Sequence, residues 1–403
     1  MSLIHSSYFR PRVYPQNGDV DPSEIDRVQD ISGSITLNRE KIKEVGTDGT
    51  IGWLTKVPNL KLTMKQLENG SMEFWRKLAN KADSITEITL NDFKSSMVDI
   101  CGYKTDDDGT FVSTIWYPKL RVNGFSFTIG DTQGALERSF DLVGEDEITL
   151  QGTNKYFIFR KMTAVGGGNE VIVISDDGTT YPNPVADPDN SGQYLFKVLR
   201  IRAGVTTELT YTTDYTFNGT TSATIISSSA GDIYKFYWSA GSYITDAIPF
   251  TTNLVDAAAI APDHVDVMIS TSTKVYKLQS VACDISFDRA DYYEIGNGTV
   301  IQRGVKNKTV SIKLGRILDV FTIEEIMRGV AANTGVINSR EFGDKIILKV
   351  RIYTSKLKTT LLQQYTFRDL SPTVMDLGAT LDEYVTRGVT LEGENCSISS
   401  IAI

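Results

Sequence analysis

Histidine, the side chain most suited to proton transfer near neutral pH, occurs only at His5 and His264. A Ser–His or Cys–His mechanism would need one of them beside a nucleophile, and neither has the spacing of a metal-ligand pair. The sequence contains no G-x-x-x-x-G-K-[ST] loop for phosphates and no G-x-S-x-G nucleophile elbow. The 50 acidic residues include many carboxylate pairs, but nothing singles out one pair as a glycosidase site. We therefore expect no enzymatic activity and no catalytic residue.

Metal chemistry is equally weakly supported. The stretch DPDNSG at 187–192 resembles the opening of a calcium loop, but Val198 stands where the bidentate Glu should be. No helical pattern flanks it, so we expect a polar turn. Cys101, Cys283 and Cys396 are odd in number and far apart, which favours small buried apolar residues over a disulfide framework or a zinc site. We expect no metal and no cofactor, and synthesis in a reducing cytoplasm.

The overall charge restricts the partners. The 403 residues carry a net charge of −9, which argues against tight binding to nucleic acid or to anionic membranes. Hydrophobic residues make up 41% of the chain, enough for large cores. No apolar run approaches the roughly 20 residues that a membrane-spanning helix needs, so we expect no membrane span.

Two octapeptides 250 positions apart resemble each other: EVGTDGTI at 44–51 and EIGNGTVI at 294–301. Shifting the chain by 250 positions without a gap gives 7 identities over the 37 positions from 28 to 64. In both copies an alternating apolar pattern precedes a polar loop and a second alternation follows it. Such alternation predicts strands with one buried face, and a shift of one residue would destroy the match. The alternating residues are Ile31, Ile35, Leu37, Leu60, Leu62 and Met64 in the first copy, and Val281, Ile285, Phe287, Val310, Ile312 and Leu314 in the second.

An amphipathic helix is predicted after the second strand of each copy. Met72, Trp75 and Leu78 have helical spacing, and Thr322 with Glu325 has the spacing of a capping box, which predicts a helix start at Thr322. Further strands are predicted at 85–90, 95–100, 111–117 and 120–129, and at 345–354 and 359–367. RSFDLVGE at 138–145 resembles RGVTLEGE at 387–394. We interpret the chain as two copies of one domain; two unrelated α+β domains are the alternative.

The segment between the copies has a different composition, rich in Thr, Ser, Gly and aromatics and without a helical pattern. Strands are predicted at 194–202 and 232–238, with a two-stranded unit around the Asn218–Gly219 turn between them. The predicted fold class is mainly β: two sandwich- or barrel-forming domains, each with one flanking helix, plus a small all-β insert. The predicted boundaries are 1–26 for an N-terminal arm, 27–163 for copy 1, 164–243 for the insert, 244–261 for a linker and 262–403 for copy 2.

The duplicated unit of strand, long loop, strand, helix and further strands resembles the tail tube proteins of long-tailed bacteriophages. That family forms rings, usually hexameric, whose sheets join into one β-barrel around a channel. Some members are fused duplications that form trimeric rings and carry an added immunoglobulin-like domain. The resemblance covers about 27–161 and 262–403, with the insert as decoration. One departure is that the insert lies between the copies rather than at an end.

The resemblance implies a structural virion protein, made in the host cytoplasm and located in the virion tail, whose homotrimeric rings stack around a channel for double-stranded DNA. DNA would pass without specific binding. Implied partners are the chain itself, the tape measure, tail tip or baseplate and terminator proteins, with a sheath as a further candidate. The long loops at 38–59 and 288–309 would contact the next ring. The residues assigned to these contacts are Glu44, Gly46, Asp48, Trp53, Lys56, Glu294, Gly296, Arg303 and Lys306.

Two alternatives stay open. A baseplate hub or tail-completion ring protein could use the same duplicated fold. A β-rich adhesin or carbohydrate-binding protein could use the insert for recognition, with strand aromatics such as Trp116, Tyr117, Phe125 and Phe127 as a sugar platform. We favour the interpretation that these aromatics fill a core, since aromatic residues on strands usually do.

Overall fold

The structure is a computed structural model that describes most of the chain. The residues that it does not describe are 1–8, 43–51, 56, 107–110, 131–134, 177–180, 187–192, 242–259, 271–272, 293–301, 319–321, 329–341, 344, 380–383 and 401–403.

The described elements fall in a first half, an insert and a second half. In the first half they are β1 (Phe9–Pro15), β2 (Ser23–Glu24), β3 (Val28–Thr36), β4 (Arg39–Ile42), β5 (Gly52–Thr55), β6 (Asn59–Leu67), α1 (Glu73–Leu78), β7 (Glu87–Thr89), β8 (Val98–Thr105), β9 (Phe111–Ile129), β10 (Glu137–Gly144) and β11 (Ile148–Leu150). In the insert they are β12 (Tyr156–Thr163), β13 (Gly168–Val173), β14 (Leu195–Arg202), β15 (Val205–Glu208), β16 (Tyr215–Phe217), β17 (Ser222–Ser228) and β18 (Ile233–Ala240). In the second half they are β19 (Val265–Ile269), β20 (Thr273–Lys274), β21 (Leu278–Tyr292), β22 (Gln302–Ile317), α2 (Thr322–Arg328), β23 (Ile346–Tyr353), β24 (Leu361–Gly378), β25 (Thr386–Gly393) and β26 (Asn395–Ser399).

The prediction of a mainly β fold with one flanking helix per half is confirmed. α1 buries Met72, Trp75 and Leu78 against the sheet, and α2 begins at Thr322, where the capping-box spacing predicted a start. The four aromatics considered for a sugar platform are buried, with exposed fractions of 6% or less, which confirms the core interpretation. Cys101, Cys283 and Cys396 are free and buried, as predicted.

The two halves share the same strand pairings. In the first half the antiparallel pairs are β1–β2, β1–β8, β8–β9, β9–β10, β9–β11, β6–β10 and β3–β6. In the second half they are β19–β20, β19–β23, β23–β24, β24–β25, β24–β26, β22–β25 and β21–β22. Each pair has one counterpart in the same chain order. We call two residues equivalent when they occupy the same register position in the two halves.

Two strands are longer than predicted. β9 runs unbroken through the Pro118–Lys119 step that separated two predicted strands, and β24 continues past residue 367. Lys119 and Asp369 lie 250 positions apart and both have left-handed backbones, with φ of 54° and 56°. Such a conformation is uncommon outside glycine. Its recurrence at equivalent positions lets each strand bend and belong to two sheets.

The main sheet contains strands of both halves. Its order is β3-β6-β10-β9-β21-β22-β25-β24, so the sheet of the first half continues directly into that of the second. One face packs on a core shared by both halves, including Leu62, Phe140, Ile312 and Leu391, all with exposed fractions of 1% or less. Helices α1 and α2 lie on this core side, where Trp75 packs against Phe140 and Glu324 pairs with Arg316.

A buried ion pair supports this core. The Arg138 guanidinium lies 3.0 Å from a Glu68 carboxylate oxygen, and both side chains are 1% exposed. Arg138 also donates to Gln66 Oε1 at 3.0 Å and lies 5.3 Å from the ring of Trp75. The Tyr365 hydroxyl of the second half donates to Glu68 Oε2 at 3.1 Å, so the network joins the two halves.

The insert is a two-sheet sandwich with the strand orders β12-β18-β14-β15 and β13-β17-β16 around its own core. By strand pairing it begins at Tyr156, before the predicted boundary at 164, because β12 pairs along its whole length with β18. Tyr156 and Ala240 are register partners, so the chain leaves and returns at one place. Adjacent ends of this kind allow a domain to be inserted within another. At the N-terminus, residues 9–15 of the predicted arm form β1 and pair with β8 of the first half.

The insert is held against the first half by both apolar and charged contacts. Lys197 lies 2.6 Å from Asp99, with exposed fractions of 2% and 0%, and Lys235 donates to the Pro15 carbonyl at 2.9 Å. An aromatic cluster that includes Trp116 and Phe157 surrounds this ion pair. The insert therefore packs on the side of the first half formed by β1 and β8.

We expect Arg138→Ala to lower the free energy of unfolding by about 3–5 kcal/mol, because the Glu68 carboxylate would remain buried without its cation. Chemical denaturation followed by circular dichroism measures the change. The double variant Arg138→Met with Glu68→Gln removes both charges and is the control, with a smaller expected loss. An equal loss in the two variants would contradict the role assigned to the ion pair.

Candidate assembly interface

The two halves meet along β9 and β21, which pair antiparallel. Ile285 lies opposite Phe125, Cys283 opposite Phe127 and Val281 opposite Ile129. These six residues point into the core, and each is at most 8% exposed. The junction thus satisfies backbone hydrogen bonds along both strands and also buries an apolar row on each.

The outer strands of the same sheet have free edges. β3 pairs with β6, and the C-terminal part of β24 pairs with β25; among the described residues, no strand pairs with the other edge of either. β3 is equivalent to β21, and this part of β24 is equivalent to the part of β9 that β21 contacts. One end of the main sheet is therefore β3, the equivalent of β21. The other end is the C-terminal part of β24, the equivalent of the part of β9 that pairs with β21.

Burial differs sharply between equivalent residues at the junction and at the edges. Ile35 is 37% exposed, whereas its equivalent Ile285 is fully buried. Leu377 is 61% exposed, whereas its equivalent Phe127 is 4% exposed. An exposed edge with outward apolar residues is a ready template for pairing with another strand.

The internal junction supplies a register for pairing between the two edges. Transferring each contact to its equivalent residues places Ile35 opposite Met375, Gly33 opposite Leu377 and Ser34 opposite Asp376. In this register Ile35, Met375 and Leu377 lie on the core face, as their equivalents do. The two edges lie at opposite ends of one sheet, so pairing in this register would require a second copy of the chain.

The face of the main sheet that faces away from the helices, the open face, is mostly polar, and its described residues include no aromatic ring. By strand register its hydroxyl residues are Ser32, Ser34, Thr36, Thr63, Ser126, Thr128, Ser139, Ser280, Ser286, Thr309, Ser311, Ser371, Thr386 and Thr390. Its charged residues are the acids Asp30, Glu137, Asp141, Asp284, Asp288, Asp376 and Glu392 and the bases Lys61, Lys65, Arg121 and Lys313. Seven carboxylates against four basic side chains make the open face net negative.

The loops assigned from the sequence prove to be arms of antiparallel ribbons rather than open loops. β4 pairs with β5, and β21 with β22 up to Tyr292 and Gln302. The length of the segments 38–59 and 288–309 argued against simple hairpins, but most of the described residues in each segment belong to paired strands. Of the assigned residues, Glu44, Gly46, Asp48, Lys56, Glu294 and Gly296 lie outside the described residues.

The assigned residues that are described lie on the ribbons. Arg303 is 8% exposed, pairs with the Asp291 carboxylate across the ribbon and donates to the Gly144 carbonyl of the first half at 3.5 Å. Trp53, its equivalent, is 54% exposed and has the Lys41 ammonium 5.3 Å from its ring. Lys306 is exposed. Arg303 and Trp53 therefore have different surroundings at equivalent positions, one buried and one exposed.

Charges near the second ribbon are crowded. Burial, together with the nearby Arg303 guanidinium, lowers the pKa of Arg121, and the Glu145 carboxylate partly offsets this.

Among the described residues no group of three or more His, Cys, Asp or Glu side chains could hold a metal ion. His264 lies 3.5 Å from the exposed Asp263 carboxylate, and the calcium-like stretch at 187–192 lies outside the described residues. In the described part of the chain no helix is long and apolar enough to cross a membrane.

Sequence reasoning missed the free edges, which make this surface a candidate interface. The alternation of Ile31 and Ile35 indicated a strand with a buried face, but not which neighbour covers it. A usable signal was present in the offset match, since Ile35 is identical to Ile285. An apolar residue that occurs in both halves but is buried in only one of them indicates a strand edge that lacks a neighbour.

Comparisons with known proteins add little. No family model and no curated protein matches the chain. Among solved structures, a chain in the cryo-EM structure of the anti-feeding prophage baseplate, six-fold symmetrised, is similar at 19% sequence identity with a TM-score of 0.28. The match covers 38% of this chain and 98% of that chain. A TM-score this low supports no conclusion about function.

We expect cysteines placed at the transferred register to form disulfides between chains. Ser34→Cys with Asp376→Cys, and Gly33→Cys with Leu377→Cys, sample the two alternating classes of cross-strand pair. At least one combination should give oxidised oligomers on a non-reducing gel, because opposite residues lie within disulfide reach. Ser34→Cys with Val374→Cys is the control, since diagonal neighbours lie about 7–8 Å apart. Cross-linking of the control alone would contradict the register.

Proposed function

We propose that this chain is a structural protein of a phage tail or a related injection machine, and specifically a tail tube subunit. In this proposal the chain is a fused duplication, and its rings stack around a channel for double-stranded DNA. The role is structural rather than catalytic. The observation that carries the proposal is the pair of complementary free edges on β3 and β24, whose equivalents already pair inside the molecule.

Complementary edges on opposite sides of one chain make a head-to-tail interface. Repeating such an interface gives a closed ring when the rotation closes and an open filament when it does not. Closure is favoured because it leaves no unpaired edge. Since each chain holds two similar halves, three chains would give a ring of six similar units, the trimeric pseudo-hexamer that the resemblance implies.

The open face is proposed as the wall of the channel. Helix α1 and the insert lie on the other side of the sheet, so nothing in the described chain would obstruct the channel. The net negative charge of this face repels phosphates, and its hydroxyl side chains are too short to project far into the channel. DNA would then slide past without specific contacts.

The proposed location is the virion tail, after synthesis in the host cytoplasm. Partners would be copies of the same chain, the tape measure, tail tip or baseplate and terminator proteins, and in some tails a sheath. The ribbon tips at 43–51 and 293–301 are proposed to contact the next ring, with Glu44, Gly46, Asp48, Lys56, Glu294, Gly296 and Lys306 on or beside them. Deleting 45–50 is expected to leave single rings and prevent stacks.

A baseplate hub or tail-completion ring is the second candidate, because the same edges would also close a ring that does not stack. Electron microscopy of the purified protein separates the two: long tubes with a central hole favour the tube, and single rings the hub. An adhesin has less support, since the strand aromatics of its supposed sugar platform are buried. A protein that stays monomeric over a wide concentration range would overturn both ring proposals.

We expect Ile35→Asp to abolish rings while the chain stays folded. Ile35 is partly exposed in the single chain but would be buried in the ring, where an unpaired carboxylate is costly. Analytical ultracentrifugation measures the assembly and circular dichroism the fold. Val173→Asp, a similar change at a 52% exposed position of the insert, is the control and should assemble normally. Rings formed equally well by both variants would exclude β3 from the interface.

A further inference from the structure

Arg289 fastens the base of the second ribbon to the first half of the molecule. Its guanidinium donates to the backbone carbonyls of Val122 at 2.8 Å, Phe93 at 2.9 Å and Lys94 at 3.2 Å. Burial, reinforced by nearby Arg121 and Arg303, lowers the pKa of Arg289. The three hydrogen bonds from this buried guanidinium to backbone carbonyls therefore connect the second ribbon to the first half across the internal junction.

The first ribbon carries the same residue at the equivalent position, but without the neighbouring half. Arg39 is identical to Arg289 at the 250-residue offset, and it lies exposed on β4. The whole described part of β4 is exposed, and β4 and β5 form a two-stranded sheet of their own. An isolated two-stranded ribbon is only marginally stable in water, so this ribbon lacks a surface that the other one has.

The missing surface can be located by equivalence. Val122, which accepts from Arg289, pairs with Leu142, and its equivalent Pro372 pairs with Leu391. Gly144, which accepts from Arg303, has Gly393 as its equivalent. Both Pro372 and Gly393 belong to the side of the sheet that ends at the free edge of β24. Pro372 and Gly393 would therefore contact the first ribbon of a neighbouring chain, as Val122 and Gly144 contact the second ribbon within one chain.

We propose that the β4–β5 ribbon of each chain docks on the second half of the neighbouring chain in the same ring, with the Arg39 guanidinium donating to the Pro372 carbonyl and Trp53 lying beside Gly393. The inference rests on the proposed ring and adds a second contact to it, beyond the sheet edges. The occupant is a second copy of this chain, because the docking surface continues the β24 edge.

The difference between the two ribbons fits this assignment. The internal ribbon carries an Arg303–Asp291 ion pair, whereas the first ribbon carries Trp53 with Lys41 at the same register positions. A contact that forms only between chains needs its own binding energy, and aromatic residues dominate such contacts. Trp53 has the exposure to supply it.

Arg39→Ala and Arg289→Ala form a matched pair of variants. Arg289→Ala should lower the thermal midpoint of the isolated chain, because its contacts lie within one molecule. Arg39→Ala should leave that midpoint unchanged and raise the dissociation constant of the ring about tenfold or more, the effect of losing a charged hydrogen bond. Sedimentation and thermal denaturation give the two readouts. An unchanged dissociation constant for Arg39→Ala, in rings that the wild type forms, would overturn the inference.

A photo-crosslinker locates the docked ribbon directly. The amino acid p-benzoylphenylalanine at position 53 should cross-link, on irradiation of assembled rings, to a peptide of another chain that contains Gly393. Peptide mapping by mass spectrometry identifies the product. Cross-links that map instead to another region would overturn the docking. Absence of wild-type rings under all conditions would overturn the proposed function itself, so the two failures are distinguishable.

Discussion

The antiparallel pairing of β9 with β21 is the interaction on which the rest of the molecule depends. It satisfies the backbone groups of two strands that would otherwise be sheet edges, and it buries an apolar row from each half. The cost of unpaired backbone groups makes such a junction favourable wherever it can form. Because the chain contains the two sides of this junction a second time, on β3 and β24, the same physical requirement that joins its halves is the basis of the proposed pairing with a neighbour.

The halves keep one pairing scheme but differ where their surroundings differ. Both have an arginine at the same register position near the helix: Arg138, which is buried, and its equivalent Arg387, which is 21% exposed. The nearby carboxylate comes from Glu68 on the chain after β6 in the first half. In the second half it comes from Glu324 on α2, which lies 3.6 Å from Arg387 and 2.6 Å from the buried Arg316. The charge requirement is thus conserved while the position that meets it changes. Divergence of this kind is expected when equivalent sites no longer have identical neighbours.

The insert occupies a place in the fold away from the free edges and the open face. Its ends, Tyr156 and Ala240, are register partners, so the chain leaves the first half and returns at adjacent positions. The buried Asp99–Lys197 pair and the aromatic cluster fix it to the β1–β8 side, away from the open face. Neither free edge of the main sheet is covered by it.

Much of this protein follows from local pattern. The period-two alternation predicted strands, and the spacing of Trp75 and of Thr322 predicted the helices. Both patterns are local, because burying one face of a strand or helix constrains residues close in sequence. The match at an offset of 250 predicted two similar halves. The tertiary structure decided what lies beside each strand. It placed Phe127 in a junction and its equivalent Leu377 at an edge, and it made paired ribbons of the long loops. Those outcomes depend on pairing between distant strands, which the alternation along a single strand does not encode.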